Sequence, residues 1–328
     1  MMHSSGDQID KNGQDDFQVL YICSAARSGS TLTDMFIGGH SQAASLGEVN
    51  MLGNALSLNA ECSCGDKLSS CNHWRKVFDA IDAQYGIDFV KYPYRFRLWD
   101  AVAINTVDHR HQTQIYRFGI ALRRKWMKSR DFLPDFLRDR FPIPSTLLHA
   151  LQNKMSLYRE ISRCWNKSLI IDSSKNFREA IELHQRWPNI VKVLLLTRDG
   201  RGVYLSRRSS GRSQPESVTA WLNYYQDALP LLENYIDPKS LLKLRYEDLA
   251  SDPEKIGNHL CDFLNIDFEQ KMLELSKTTR HLVSGNNTRF APQKGIRLDE
   301  RWRTDLAERE LDFFNSVGGE MNRRLGYY

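Results

Sequence analysis

The stretch VLYICSAARSGSTLTDMFIGGHSQAASLGE, residues 19–48, decides how the rest of the chain is read. Val19 to Ile22 form a short apolar, β-branched run of the kind that makes a buried strand. Ser24 to Thr31 are small residues apart from Arg27. Leu32, Met35, Phe36 and Gly39 then recur at helical spacing, so a helix is expected to begin near Ser30 or Thr31. A strand, a small-residue loop and a helix N-terminus together aim backbone N–H groups and the positive end of a helix dipole at an anion. Hydroxyls of Ser28, Ser30 and Thr31 add donors, and Arg27 adds a forked positive charge. The expected ligand is a phosphate or a sulfate.

A nucleotide triphosphatase would carry G-x-x-x-x-G-K-[ST] at this place, with lysine on the phosphates. Here Ser24 replaces the first glycine, Ser30 stands where the lysine belongs, and the charge has moved back to Arg27. A small-residue corner needed only for packing is the plain alternative, so the loop has to be read with the rest of the chain.

With 41% hydrophobic and 26% charged residues among 328, the composition is that of an ordinary globular protein with a sizeable core. A net charge of +5 is no electrostatic footprint for nucleic acid. No apolar run approaches a membrane span, and the polar start MMHSSGDQIDKNGQDDF has no signal-like apolar core. The expectation is a disordered tail over 1–16, one α/β domain over 17–328, and a cytoplasmic protein.

Six cysteines are scattered. Cys62, Cys64, Cys71 and His73 form a cluster of four metal-ligand types, but its spacing lacks the regularity of zinc modules. A packed loop with free thiols is the expectation, with a disulfide or a metal as alternatives.

Helices are expected over 49–58 and from about His73 to Ala83. A largely helical insert, about 85–165, follows. Between Lys91 and Arg130 it holds ten Lys/Arg against Asp100 and Asp108, interleaved with Tyr92, Tyr94, Phe96, Trp99, Tyr116, Phe118 and Trp126. Its plain reading is core aromatics with a solvated basic face. The sharper one is an acceptor-binding lobe or a surface for peripheral contact with anionic lipid. Beyond it, Leu169–Asp172 and Val191–Thr197 read as strands, the second apolar enough for the inside of a parallel sheet. Leu241–Arg245 reads as another, and Asp252-Pro253-Glu254 starts a helix. Strands alternating with helices predict a P-loop-like parallel sheet flanked by helices.

Ligands of open α/β sheets sit beyond the carboxyl ends of the strands. There the sequence places Arg27, Lys175, and Arg198 with Ser206. Asp172 and Asp199, the acids that could hold a Mg²⁺-nucleotide, both have basic neighbours.

These residues resemble the sulfotransferases that use 3′-phosphoadenosine 5′-phosphosulfate (PAPS), of the carbohydrate and tyrosylprotein type and their bacterial relatives. The resemblance rests on an ordered set. It comprises Arg27-Ser-Gly-Ser-Thr31, Leu46-Gly47-Glu48, Ser173-Ser174-Lys175-Asn176, Arg198-Asp199-Gly200-Arg201 with Ser206, Leu244-Arg245-Tyr246-Glu247-Asp248-Leu249, and the C-terminal Gly285-Asn286, Arg289-Phe290 and Asp299-Glu300-Arg301-Trp302. It spans about 19–310 and leaves the insert uncovered.

The resemblance implies sulfuryl transfer from PAPS to a hydroxyl of an acceptor, with no metal required. Arg27, Ser28, Gly29, Ser30 and Thr31 would hold the 5′-phosphosulfate. Arg198 and Ser206 would hold the 3′-phosphate, and Tyr246, Asn286, Arg289 and Arg301 would line the nucleotide. Glu48 would act as general base, with Arg27 and Lys175 neutralising charge on the leaving phosphate. Glu48 also admits a plain capping or ion-paired role, and Tyr246-Glu247 a buried hydrogen-bonded corner. The other functional readings are a P-loop kinase-like phosphotransferase, against which Ser30 argues, and an anion- or lipid-surface module built on the insert. The acceptor (a carbohydrate, a lipid, a peptide tyrosine or a small metabolite) and the oligomeric state have no readable code.

Overall fold

A computed structural model describes residues 16–99, 114–138, 140–290 and 295–328. Of the tail expected over 1–16, residues 1–15 lie outside the described residues, as do Asp100, Asp108, Arg110 and the side chains of Tyr116 and Arg117.

Five strands pair in parallel: β1 (Gln18–Cys23), β2 (Ala43–Ser45), β3 (Leu169–Asp172), β4 (Val191–Thr197) and β5 (Leu241–Arg245), in the order β2-β3-β1-β4-β5. The first strand of the chain is therefore central. Its neighbours β3 and β4 lie on opposite sides, which makes its carboxyl end the switch point where open sheets leave a crevice.

The early helices are α1 (Ser30–Ile37), α2 (Leu52–Ser57), α3 (Asn72–Tyr85), α4 (Gln114–Arg130), α5 (Asp135–Arg138) and α6 (Ser145–Trp165). Then come α7 (Phe177–Arg186), α8 (Gly200–Arg208), α9 (Gln214–Tyr235), α10 (Tyr246–Ser251) and α11 (Pro253–Leu264). Two more, α12 (Trp302–Asp305) and α13 (Glu308–Arg324), close the chain. Alternation along β1 divides them between two cores. Val19, Tyr21 and Cys23 face Trp74, Tyr158, Ile181, Tyr204, Trp221 and Phe314. Leu20 and Ile22 face Met35, Phe36, Leu249 and Leu260. Burial on both sides is why the strands read as continuous apolar runs.

The sequence concealed β2. Ala43-Ala44-Ser45 has none of the bulk that marks a strand, because α1 passes too close to allow it: a Cβ on Gly38 would lie 2.4 Å from that of Ser45. The helix expected from His73 to Ala83 runs from Asn72 to Tyr85, ending at Gly86 in the left-handed region.

The insert departs from its plain reading. Phe96, Ile120 and Met127 are buried, whereas Phe118, Leu122 and Trp126, one turn apart along α4, are exposed. Its basic side chains are not all solvated either. Arg130 and Arg138 are buried against Glu182 of α7, at 2.8 and 3.4 Å. None of the helices among the described residues is long and apolar enough to cross a membrane.

Candidate active site

Three loops leave the carboxyl ends of the three central strands and meet at the switch point. The first leaves β1. Arg27 (φ 74°) and Gly29 (φ 92°) both take left-handed backbone, and α1 starts at Ser30 with no side-chain cap and no acid in its first turn. Its N-terminal amides are thus free for an anion. Gly29 has a second reason to be glycine: a Cβ there would lie 2.7 Å from the Tyr246 ring. Ser28 turns its hydroxyl inward to Tyr225 (3.2 Å), whose own hydroxyl donates to Leu196 O (2.7 Å). Ser28 therefore braces the loop from beneath. The hydroxyl of Thr31 accepts from the backbone of Asn286 (3.1 Å), which fastens α1 to the C-terminal segment.

The second loop leaves β3. Lys175, also left-handed (φ 68°), donates from Nζ to the Glu48 carboxylate. Its backbone carbonyl accepts from Tyr224 (2.8 Å), and its N–H donates to Ile22 O (3.2 Å). Two non-glycine residues held at positive φ in adjacent loops are strain of the kind that gathers at functional sites.

The third loop leaves β4. Arg198 is 7% exposed and lies over the Tyr246 ring, 4.6 Å from guanidinium carbon to ring centroid. It donates to Arg27 O (3.1 Å) and to the Asp299 carboxylate (3.1 Å). Asp299 is also gripped by Arg301 at 2.8 and 3.0 Å, and the Arg301 hydrogen bond, followed by the charge of Arg198, holds its carboxyl well below the usual range. Tyr246 donates to Arg297 O (2.9 Å) and accepts from Asp299 N (3.2 Å). Beside it half-buried Glu247 accepts from Asp199 N and from the Tyr327 hydroxyl.

The expected residues do not all join one network. Arg27, Arg198, Tyr246, Asp299 and Arg301 do, and Glu48 pairs with Lys175. Arg289 donates to Gly285 O (3.0 Å) and lies within electrostatic range of Glu48. Ser206 is half-buried on α8, with no hydrogen bond to the cluster among the described residues. Among the described residues, the buried Nε atoms of Arg198, Arg207 and Arg289 have no hydrogen-bond partner, as is also the case for Arg130 and Arg138 of the insert. Arg207 escaped the sequence reading. Burial lowers its pKa, and the charges of Arg212 and Arg27 lower it further.

Asp34 escaped it too. Fully buried on α1, it accepts from the Ser45 hydroxyl, Gly47 N (3.0 Å) and the Ser173 hydroxyl (2.7 Å). It thereby fixes the segments that carry Glu48 and Lys175. Burial pushes its pKa up to about 6 against these hydrogen bonds. A lone acid in an apolar helix was the available signal. The two strand-end acids that could bind a metal-nucleotide are engaged: Asp172 by Lys154 (3.3 Å) and Tyr158 (2.5 Å), Asp199 by Arg201 (2.6 Å).

The sequence profile of the sulfotransferase family matches residues 20–270. Protein-tyrosine sulfotransferase A of Caenorhabditis elegans is 29% identical over 163 residues, which cover 46% of this chain and 42% of the worm protein. The match thus spans less than half the length of that relative. Among solved structures, the sulfotransferase domain of the Synechococcus PCC 7002 olefin synthase superposes with a TM-score of 0.53 at 20% identity, covering 95% of each chain. The sulfotransferase domain of the curacin biosynthetic pathway gives 0.50 at 19% identity, covering 95% of this chain and 98% of that one. At such identities the two domains share the fold.

Proposed function

This chain belongs to the sulfotransferase family, and from that premise we propose that it moves the sulfuryl group of PAPS onto a hydroxyl of an acceptor, releasing adenosine 3′,5′-bisphosphate. The observation that carries this reading is the Lys175–Glu48 pair at the mouth of a loop whose helix N-terminus holds no acid. A base and a cation are joined where an anion would enter.

The uncapped amides of α1 and the Arg27 guanidinium would take the 5′-phosphosulfate oxygens. Once that anion is bound, Lys175 has a second negative partner, and Glu48 is released to accept the acceptor hydroxyl's proton. The S–O bond to the phosphate breaks as the S–O bond to the acceptor forms. Arg27 and Lys175 oppose the charge that grows on the leaving phosphate. A 3′-phosphate at Arg198 would take the place that Asp299 holds, leaving Asp299 to Arg301 alone. A hydroxyl-bearing acceptor would approach Glu48 from the side of the insert.

Isothermal titration with adenosine 3′,5′-bisphosphate and with ADP tests the assignment. Tight binding of the bisphosphate and markedly weaker binding of ADP are expected; equal affinities would remove the 3′-phosphate argument. Glu48→Gln is expected to lower turnover by about 10²–10⁴-fold while sparing bisphosphate binding. Unchanged turnover would retire Glu48 as the base.

A further inference from the structure

Away from the strand-end loops, a second group of chemically capable side chains converges from three places in the chain. Residues 60–68 form a small hairpin, closed by the antiparallel bridge Glu61–Lys67 and by hydrogen bonds Cys62 N to Asp66 O and Gly65 N to Cys62 O, both 2.9 Å. Gly65 turns it at φ 99°. Cys62 and Cys64 lie in the turn itself, which brings both to the same cluster. Cys71 is the residue that precedes α3, so its thiol sits at a helix N-terminus. His281 arrives from more than 200 residues further on.

The Nδ1 atom of His281 lies 3.3 Å from Cys71 Sγ and 3.7 Å from Cys62 Sγ, and Cys64 Sγ lies 3.7 Å from Cys71 Sγ. All four ligand atoms fall within 4.8 Å of one another. A tetrahedral zinc ion with bonds of about 2.3 Å to sulfur and about 2.0–2.1 Å to nitrogen holds its sulfurs roughly 3.8 Å apart. Each sulfur is then roughly 3.6 Å from the nitrogen. The three measured distances lie within about 0.3 Å of the edges of that tetrahedron, and the remaining edges are no longer than 4.8 Å. The imidazole is also held in place as a ligand would be. Trp74 Nε1 donates to the His281 carbonyl (2.8 Å), and the His73 ring stacks on the His281 ring at 3.8 Å. The sequence reading named His73 as the fourth ligand type; the fold makes it the neighbour that orients the ligand.

We propose that Cys62, Cys64, Cys71 and His281 bind one structural Zn²⁺. Three thiolates and an imidazole in tetrahedral array select zinc over the hard, oxygen-seeking cations. Four protein ligands leave no open position, so the ion is a fastener rather than a reagent. What it fastens follows from the backbone. Val283 N donates to Leu46 O (2.8 Å), Glu48 N to Ser284 O (3.4 Å), and Asn286 N to Thr31 Oγ1. The ion therefore anchors the segment that closes over the Gly47-Glu48 turn and leads to Arg289. Ser63, between two of the cysteines, strengthens the same seam by donating to Arg280 O (2.7 Å) and accepting from Leu282 N (2.8 Å).

Elemental analysis of the full chain, purified under reducing conditions without added chelator, is expected to give about one zinc per molecule. Cys64→Ser and His281→Ala should fall well below half of that, whereas Cys164→Ser and Cys261→Ser should keep it. Because losing a ligand can unfold the chain, the wild-type chain carries a second measurement. Exchange of zinc for Co²⁺ should give a sulfur-to-cobalt charge-transfer band and the intense visible bands of a tetrahedral site. Hydrogen exchange should then quicken at 46–49 and 281–289 when a chelator strips the metal. A metal-free protein with all six thiols titratable would overturn the proposal, as would a Cys64–Cys71 disulfide found by peptide mapping in the freshly purified chain.

Discussion

The strand-end loops and the layer beneath them treat charge in opposite ways. Under the sheet, around α6 and α7, buried charges meet opposite charges. Lys154, wholly buried, meets Asp172, Glu179 and the Asn50 amide, while Tyr158 and Tyr21 donate to the two carboxylates. Glu182 is met by Arg130, Arg138 and Arg186. Above the sheet, the charges of Arg212 and Arg27 both press on Arg207, with Glu216 as partial relief. Matched charge inside a fold is architecture. Cations gathered at a switch point are the arrangement the proposed anion would need.

That contrast can be broken most forcefully from below. Lys154→Ala would leave Asp172 and Glu179 facing each other without a cation, at a cost of about 3–5 kcal/mol of stability. Chemical denaturation should register it as a lower midpoint, or as a chain that no longer folds. A loss below about 1 kcal/mol would show that the buried layer is less dependent on its lysine than its geometry implies.

From above the effect should fall on turnover. Lys175→Ala is expected to reduce kcat by about 10²–10³-fold. It should change stability little, since the Lys175 and Glu48 side chains are 18% and 26% exposed and a pair so placed contributes about 1 kcal/mol or less. A variant that loses stability but keeps its turnover would assign Lys175 to the architecture instead.

Asp34 stands between the two regions, and pH separates its roles. Its pKa rises from 3.8 in the unfolded chain to about 6 in the fold, so the folded state holds the proton more tightly between those values. Stability contributed by this group is complete below the lower value and is lost as pH rises through the upper one. The difference amounts to roughly 3 kcal/mol at about 1.36 kcal/mol per unit. Denaturation midpoints measured across this window should show that slope in the wild-type chain and lack it in Asp34→Asn. Parallel slopes would mean that the carboxyl is already ionised there.

What the sequence made legible follows the same division. Alternation and apolar runs exposed four of the five strands, because burial on both faces leaves a composition that can be read locally. The strand-end residues Arg27, Lys175 and Arg198 were legible because a topological rule says where strand ends go. Asp34, Arg207, Lys154 and the partnership of His281 with three distant cysteines were not. Each depends on which segments the fold brings together, and no local spacing encodes that. The insert misled for a related reason: Phe118 and Trp126 were expected in the core, yet α4 buries Ile120, Met127 and Arg130 instead.

The smallest expected effect is the finest test of the cradle. In Gly29→Ala the added methyl meets the Tyr246 ring, and an L-residue is forced to φ 92°. Left-handed strain costs about 1–3 kcal/mol, and the ring can yield only by shifting its hydroxyl from Arg297 O and Asp299 N. If the loop is built to present amides to an anion, adenosine 3′,5′-bisphosphate affinity should fall by more than the thermal midpoint shift explains, and Arg198, stacked on the displaced ring, should share the loss. Calorimetry on the variant against bisphosphate and against inorganic sulfate distinguishes the two contributions. A defect confined to sulfate would place the damage in the α1 amides alone, whereas a larger defect toward the bisphosphate would tie Tyr246 and Arg198 to the same ligand.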